Sequence, residues 1–175
     1  MNRDSASILR KCISIVALGI AKVHISAWQS AYVGLIPDSV LQNLAVQQRS
    51  NDWLKHLETQ LPTAYTFIAL LGEVIVAFIA IGSYRGEGSV KDHGEIFSLY
   101  VDPSFQSQGI GKALMNAGLN LLKEGNFSKV LLWAIDGNML ARAWYESHGW
   151  KADGKTRIDQ RGNFELCEVR FQLEF

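Results

Sequence analysis

Apolar positions along this chain follow two different periods, and the switches between them outline the elements. Residues 7–12 read as a first strand. From Ser14 to Ser30 an amphipathic pattern continues through Val23, Ile25 and Trp28 and predicts a helix, with Ser14 as a candidate N-cap. Gly34 to Pro37 reads as a loop. Asp38 can cap a short helix reaching Leu44, and Val46 to Glu58 gives a second helical piece. The pattern then changes. Residues 64–71 and 74–84 are two apolar blocks split by Gly72-Glu73, which predicts a hairpin. Arg85 to Gly94 is a glycine-rich charged loop.

Glu95 to Val101 is a continuous apolar run and predicts a central strand. Asp102-Pro103 ends it, because proline has no N–H to give to a ladder. Ile110, Ala113, Leu114, Ala117 and Leu121 return at helical spacing and lay one apolar face on a sheet. Lys129 to Ala134 predicts a strand. Met139 to His148 predicts a helix stopped by Gly149. Residues 150–157 and 164–174 predict the last two strands, turning at Gln160-Arg-Gly-Asn163. The order predicts an α+β fold with a mixed sheet, in a single domain over residues 1–175. No internal repeat, low-complexity segment or linker interrupts it.

The bulk numbers narrow the function classes. Seventeen basic and seventeen acidic residues cancel, so no global field recruits nucleic acid or a membrane surface. Cys12 and Cys167 are too few and too isolated for a disulfide framework or a zinc site, and are expected to be buried reduced thiols. No metal site is expected. Phe67 to Ile81 is strongly apolar but too short to span a bilayer as a helix. Met1 to Ala21 has basic residues before an apolar stretch, yet no small-x-small cleavage site, which argues against export. A cytoplasmic protein is expected.

Gln106-Ser107-Gln108-Gly109-Ile110-Gly111 follows the central strand and opens the next helix. A strand, glycine loop and helix N-terminus suit a phosphate-bearing ligand: free N–H groups and the positive end of the helix dipole favour an anion, and glycine permits close approach. Three patterns compete for the segment. A P-loop needs glycine at position 106 and a hydroxyl residue at 113, where the chain has Gln106 and Ala113. A dinucleotide fingerprint needs a third glycine at position 114, which is Leu114. The third pattern, Arg/Gln-x-x-Gly-x-Gly/Ala, fits in full.

That third pattern resembles the acyl-CoA pyrophosphate loop of the GNAT superfamily of N-acetyltransferases. Asn138-Met-Leu-Ala141-Arg142-Ala143-Trp144-Tyr145-Glu146-Ser147-His148-Gly149-Trp150 resembles the Asn-x-x-Ala-x-x-Phe-Tyr-Glu-x-x-Gly-Phe segment of that family, with Trp in place of each Phe. His24-x-x-x-Trp28-x-x-x-Tyr32-x-Gly34-Leu-x-Pro37 is similar to the first helix and loop of many members. The resemblance runs from about residue 8 to the C-terminus in family order. It implies a mixed, mostly antiparallel sheet of six to seven strands flanked by about four helices, with parted central strands forming an acyl-CoA cleft. It implies acetyl transfer from acetyl-CoA, as co-substrate, to an amine.

The resemblance also implies roles. The pyrophosphate would lie on backbone N–H groups of the 106–112 loop (Gln106, Ser107, Gln108, Gly109, Ile110, Gly111, Lys112), with Lys112 available for a charge-assisted contact. Backbone groups of Leu99 and Val101 would pair with the pantetheine arm, and Asn138 would bond it from the opposite side, beside Ala141. Asn138 is equally an N-cap of its helix, and the two roles are compatible. A backbone N–H near Tyr100 or Val101 would stabilise the oxyanion.

Tyr145 would protonate the leaving thiolate: a thiol titrates near ~8.5 and a phenol near ~10. On spacing alone it is a core aromatic; the Asn138-to-Gly149 context favours the acid. Glu95 is a candidate base for the amine, or an exposed strand-end acid. His93 is a second candidate base, and desolvation of the amine is a third route. Trp28, Tyr32 and Trp53 are candidates for the acceptor pocket wall, with the 32–37 and 85–93 loops. Trp28 and Tyr32 also fit a core pair on one helix face, and His24 on the same stripe reads as a satisfied, partly buried histidine.

The leading expectation is a catalytic N-acetyltransferase acting on a primary amine of a small molecule, peptide or protein. The alternative is a non-catalytic acyl-CoA-binding sensor or interaction module of the same fold. A magnesium-dependent nucleotide enzyme is disfavoured by Ala113. No nucleic-acid or membrane partner is expected, and a homodimer through the C-terminal strands is open.

Overall fold

The computed structural model describes the backbone of residues 3–59, 61–86, 91–162 and 164–175, and their side chains from residue 13 onward. The thiol of Cys12, Gly88 of the predicted 85–94 loop and Asn163 of the predicted last turn lie outside the described residues. The elements are α1 (Arg3–Ala31), α2 (Asp38–Gln42), α3 (Val46–Thr59), β1 (Tyr65–Leu71), β2 (Val74–Ser83), β3 (His93–Val101), α4 (Ile110–Glu124), β4 (Lys129–Ile135), α5 (Met139–Ser147), β5 (Lys151–Arg161) and β6 (Phe164–Glu174). The strands form one sheet in the order β1-β2-β3-β4-β6-β5, antiparallel throughout except for the β3–β4 pair. The predicted class holds, with six strands and five described helices instead of about four.

The N-terminus corrects the expected pattern. Residues 7–12 are not a strand: they belong to α1, and Ser14 sits inside that helix and does not cap it. Six residues are too few to tell a strand from a helical turn by periodicity alone. No proline or turn pair separates residue 7 from Ser30, so nothing in the chain stops the helix from propagating through both segments. Asp38 likewise opens α2 without capping it, since the N-cap position is Pro37.

Two layers of side chains sandwich the sheet. Leu114, Met115 and Leu122 of α4 pack on Ala77, Ile79 and Ile81 of β2, with Ile96, Val130, Leu132, Trp150 and Phe171 completing that core. On the other face Ala17, Ile20, Ala21, Val23 and Trp53 of α1 and α3 cover Phe78 and Ala80. The period of two along β2 separates these sets. The buried stripe of α4 is Leu114, Met115, Gly118 and Leu122, while Ala113 and Ala117 of the predicted face are exposed. Alanine marks a buried face weakly, having little area to bury. Cys167 is also exposed, a free thiol on β6, where a buried one was expected. No described helix is long and apolar enough to cross a membrane.

The feature that positions the site is the β3–β4 ladder. It runs from His93 opposite Lys129 to Ile96 opposite Leu132 and ends there, although both strands continue. On its other side β3 stays paired with β2 as far as Val101, with an irregularity that leaves Phe97 as an extra residue between the Ile96–Ile81 and Ser98–Ala80 pairs.

Gly118 is where α4 approaches the sheet, and a Cβ there would lie 3.2 Å from Ile79 Cδ1 and 3.3 Å from Ile81 Cγ2. Gly118→Val is expected to overpack this contact and destabilise the fold by about 1–3 kcal/mol. Thermal unfolding measures it, and an unchanged midpoint would contradict the packing described.

Candidate active site

Beyond Ile96 the two central strands part, and a cavity of about 640 Å³ fills the gap. It is lined by Ala27, Ser30 and Ala31 of α1, Leu99 to Val101 of β3, the 105–112 segment, and Asn138, Leu140, Ala141, Trp144, Tyr145 and His148 around α5. The cofactor residues expected from the sequence converge here, with Gln108 as the one that does not line the wall.

The direction of the β3 backbone follows from its register. Asp102 N–H donates to Val76 O at 2.9 Å, so Asp102 and Val76 are a hydrogen-bonded pair. In an antiparallel ladder such pairs alternate with non-bonded ones. Phe78–Tyr100 is therefore bonded, and Ala77–Val101 and Ile79–Leu99 are not. The N–H and C=O groups of Leu99 and Val101 consequently point away from β2, into the cavity, and those of Tyr100 point toward β2. Of the two expected oxyanion donors, the alternation leaves Val101 and removes Tyr100. Gln106 Nε2 lies 3.4 Å from Val101 O and closes that end of the edge.

The glycine loop is built for close approach. Ser107 and Gly109 both have positive φ, 60° and 80°. The first helical bond after the turn is Ala113 N–H to Gly109 O at 3.0 Å, so the N–H groups of Ile110, Gly111 and Lys112 lie ahead of it. Gly111 stands where a Cβ would be 3.4 Å from Val101 Cγ2, which brings the helix start against the strand edge. Three aligned N–H groups at the positive end of a fifteen-residue helix favour an anion.

On the opposite wall Asn138 caps α5, its Oδ1 accepting Ala141 N–H at 3.2 Å, and its amide Nδ2 remains a donor. Tyr145 is half-buried among Trp144, Trp150 and Phe171, with ring centroids 5.4, 6.1 and 5.7 Å away. Burial, and after it the neighbouring Tyr100, push the Tyr145 phenol above the ordinary tyrosine range. It is a neutral O–H at any pH near neutrality, which a proton donor requires.

Trp28 and Tyr32 do not line the cavity. Each is 8% exposed, in a core cluster with Ile36, Leu41, Ile135 and Leu166. They act on the site through Tyr100, which does line it: Trp28 Nε1 donates to Tyr100 Oη at 3.0 Å, and the Tyr32 and Tyr100 hydroxyls lie 3.2 Å apart. His24 stacks on the other side of Tyr100, centroids 4.8 Å apart. Its Nδ1 accepts from Trp53 Nε1 at 3.1 Å, and its buried Nε2 has no partner, so it is half satisfied. Trp53 is thus a core residue of α3.

Glu95 is 3% exposed and lies outside this cavity. It accepts three bonds from Arg85: from the backbone N–H at 3.0 Å, Nε at 3.3 Å and Nη2 at 2.9 Å. It lines a second hollow with Tyr84, Arg85, Gly86, Trp133 and Arg157. His93 lies 3.9 Å from Asp92 and lines neither space. Sequence reasoning missed Trp144 and His148 as wall residues, although both sit in the motif beside Tyr145. It missed Trp133 and Arg157 because only the β4–β6–β5 register brings them together.

Comparison with known proteins agrees with this geometry. The family model described as Acetyltransferase (GNAT) family matches residues 29–150. The uncharacterized N-acetyltransferase YuaI of Bacillus subtilis (strain 168) is 30% identical over 153 residues, 87% of this chain and 82% of that protein. Mycothiol acetyltransferase of Kocuria rhizophila (strain ATCC 9341 / DSM 348 / NBRC 103217 / DC2201) is 38% identical over 68 residues, 39% of this chain, which there spans 22% of the relative's length. The PaiA N-acetyltransferase of Thermoplasma acidophilum, solved in complex with coenzyme A, shares the fold with a TM-score of 0.68 over 92% of this chain and 94% of its own, at 16% identity.

Burial, then the charges of Arg49 and Arg161, lower the pKa of His24 from 6.5 to about 3. The unfolded chain binds the proton more tightly, so stability is fully present above pH 6.5 and is lost as pH falls from there toward about 3. The slope contributed is about 1.4 kcal/mol per pH unit within that window. Urea unfolding at neutral pH and near the middle of the window is expected to show this loss, and His24→Phe is expected to remove that part of it. An identical slope in both proteins would contradict a neutral buried His24.

Proposed function

This chain belongs to the acetyltransferase (GNAT) family and works as an acetyl-CoA-dependent N-acetyltransferase, and we propose that it transfers the acetyl group directly to a primary amine of a small molecule, peptide or protein, in a ternary complex, within a single domain over residues 1–175. One observation carries the reading. A single cavity collects the open backbone edge of Leu99 and Val101, the free N–H groups at the start of α4, the Asn138 amide and the Tyr145 phenol.

The residues present suit acetyl-CoA. The helix start, with its left-handed Ser107 and Gly109, offers a cradle for an anion. Lys112 at its rim adds a positive charge. The N–H and C=O of Leu99 offer strand-type bonds to an extended amide-bearing chain. Bound there, acetyl-CoA supplies an acetyl group activated as a thioester. Val101 N–H, aimed into the gap, serves as a preorganised donor to developing negative charge. Tyr145 holds the proton at Oη that a leaving thiolate takes.

Glu95 is already engaged by three donors of Arg85. We therefore assign no dedicated base: an amine stripped of water in the gap loses its proton more readily. Trp28 and Tyr32 hold Tyr100 in the wall.

Tyr145→Phe is expected to reduce kcat by about 10²–10⁴-fold while leaving the acetyl-CoA dissociation constant within about twofold. Thiol release measures the first and isothermal titration the second. Undiminished turnover would remove Tyr145 from the chemistry. Absence of acetyl-CoA binding in the unaltered protein, with ATP–magnesium binding instead, would overturn the acetyl-transfer reading.

A further inference from the structure

The main cavity passes through the strand gap, and its two sides differ in chemistry. On the face of the sheet that α4 covers it is lined from α5, where Trp144 and Tyr145 also pack on the core. On the opposite face it is lined by Ala27, Ser30 and Ala31 of α1, with Tyr100, and by Phe105 of the 103–105 turn that α1 touches. Tyr145 and the start of α4 occupy the first side. An attacking amine is left with the second.

That second side is apolar. Its polar side chains are Ser30 and Tyr100, and the Tyr100 hydroxyl is already engaged by Trp28 at 3.0 Å and Tyr32 at 3.2 Å. Burial raises the Tyr100 phenol above the ordinary tyrosine range, so it carries no charge near neutral pH. Among the described residues no aspartate or glutamate lines the cavity. Lys112 and His148, which can be positive, stand at the α4 start and on α5. Elsewhere on the sheet Glu95, Glu168, Asp153 and Asp159 are each paired with an arginine. The mouth continues the apolar lining. Leu140 lines the cavity and is 88% exposed, with Met139 beside it 64% exposed. The 32–37 loop borders them, since Leu35 lies against Gly137, and it presents Val33, 67% exposed. Apolar side chains left open around a cavity mouth mark a surface that a ligand covers.

We infer that the α1 side of the main cavity is the acceptor subsite and that it takes primary amines with an uncharged apolar body, in preference to amines that carry a second charge of either sign. The inference rests on the acetyl-transfer reading and names its acceptor class. An apolar wall disfavours the ammonium form of the entering amine, which is the deprotonation that a site without a dedicated base requires. The same wall strips water from any second charge and returns no partner for it.

The test measures kcat/KM by thiol release at saturating acetyl-CoA, with the acetyl-CoA dissociation constant taken by isothermal titration. Butylamine is expected to exceed 1,4-diaminobutane, and 2-phenylethylamine to exceed phenylalanine, each by at least about tenfold. From ethylamine to butylamine the value is expected to rise about threefold per methylene. Ala31→Glu places a carboxylate on an exposed residue of this wall and is expected to move the ratio of 1,4-diaminobutane to butylamine at least about tenfold toward the diamine. Equal or better turnover of the charged member of either pair, no gain along the alkyl series, or no turnover of either apolar amine by a protein that binds acetyl-CoA overturns the inference. So does an unchanged ratio in Ala31→Glu. Ser30→Glu replaces that variant if it does not bind acetyl-CoA, and the ranking in the unaltered protein decides alone if neither does. Failure of the unaltered protein to bind acetyl-CoA would remove the acetyl-transfer reading together with this inference, whereas binding with a different ranking removes this inference alone.

Discussion

Two parallel strands that share a ladder only from His93 to Ile96 and then separate set the terms for the rest of the molecule. Buried backbone polar groups without partners cost about 1–3 kcal/mol each, so a sheet does not open in its middle unless something holds it open. Here the agents are local. Phe97 is the extra residue on the β2 side, which turns β3 as its ladder with β4 ends. Past Ile135, Gly137 lets Leu35 of the 32–37 loop lie against the chain where a Cβ would be 2.5 Å from Leu35 Cδ1. The chain then enters α5 at the Asn138 cap instead of continuing as strand. The gap is a product of turn chemistry at both strand ends.

A gap of this kind binds reproducibly only if its walls do not drift. The wall on the α1 side is Tyr100, and three residues hold it: Trp28 donates to its hydroxyl, the Tyr32 hydroxyl makes a second hydrogen bond with it, and His24 stacks on the ring. His24 is fixed in turn by Trp53 from α3. The aromatic stripe of the first helix thus supports the site one layer back, which is the usual requirement for placing a group to within a fraction of an ångström. The half-satisfied, neutral His24 is the energetic burden of that packing.

The sequence displayed this site unevenly, for physical reasons. The loop from Gln106 to Lys112 and the segment from Asn138 to Tyr145 were legible because each is local: glycine, cap and aromatic positions act within a few residues of one another. The hairpin and the later strands were legible from period and turn residues. Residues 7–12 were not, because six residues are too few to show a period and the missing stop signal was the better guide. The apolar face of α4 was drawn from alanines and came out rotated. Trp28 and Tyr32 were given to the pocket wall because spacing shows which residues share a helix face, and only packing shows what stands in front of them. Arg157 gave no local signal at all: it reaches Trp133 across β6, through a register that no window of sequence contains.

Glu95 shows how a partner decides a residue's part in chemistry. An acid beside the vertex of an acetyl-transfer cleft invites the role of base, and position alone cannot refuse it. To accept a proton from an amine, however, this carboxylate would have to give up the charge that Arg85 stabilises through its backbone N–H, Nε and Nη2. Stripping that triply bonded carboxylate of its charge is costly, whereas an amine that sheds its proton as it leaves bulk water needs no side-chain base. The same bonds turn Arg85 so that its charge lies outside and that of the acid inside. A residue that reads as negative along the chain therefore lies behind a positive surface, and Glu168 does the same through Arg157. The sign of the field at the vertex is set by depth of burial, not by composition.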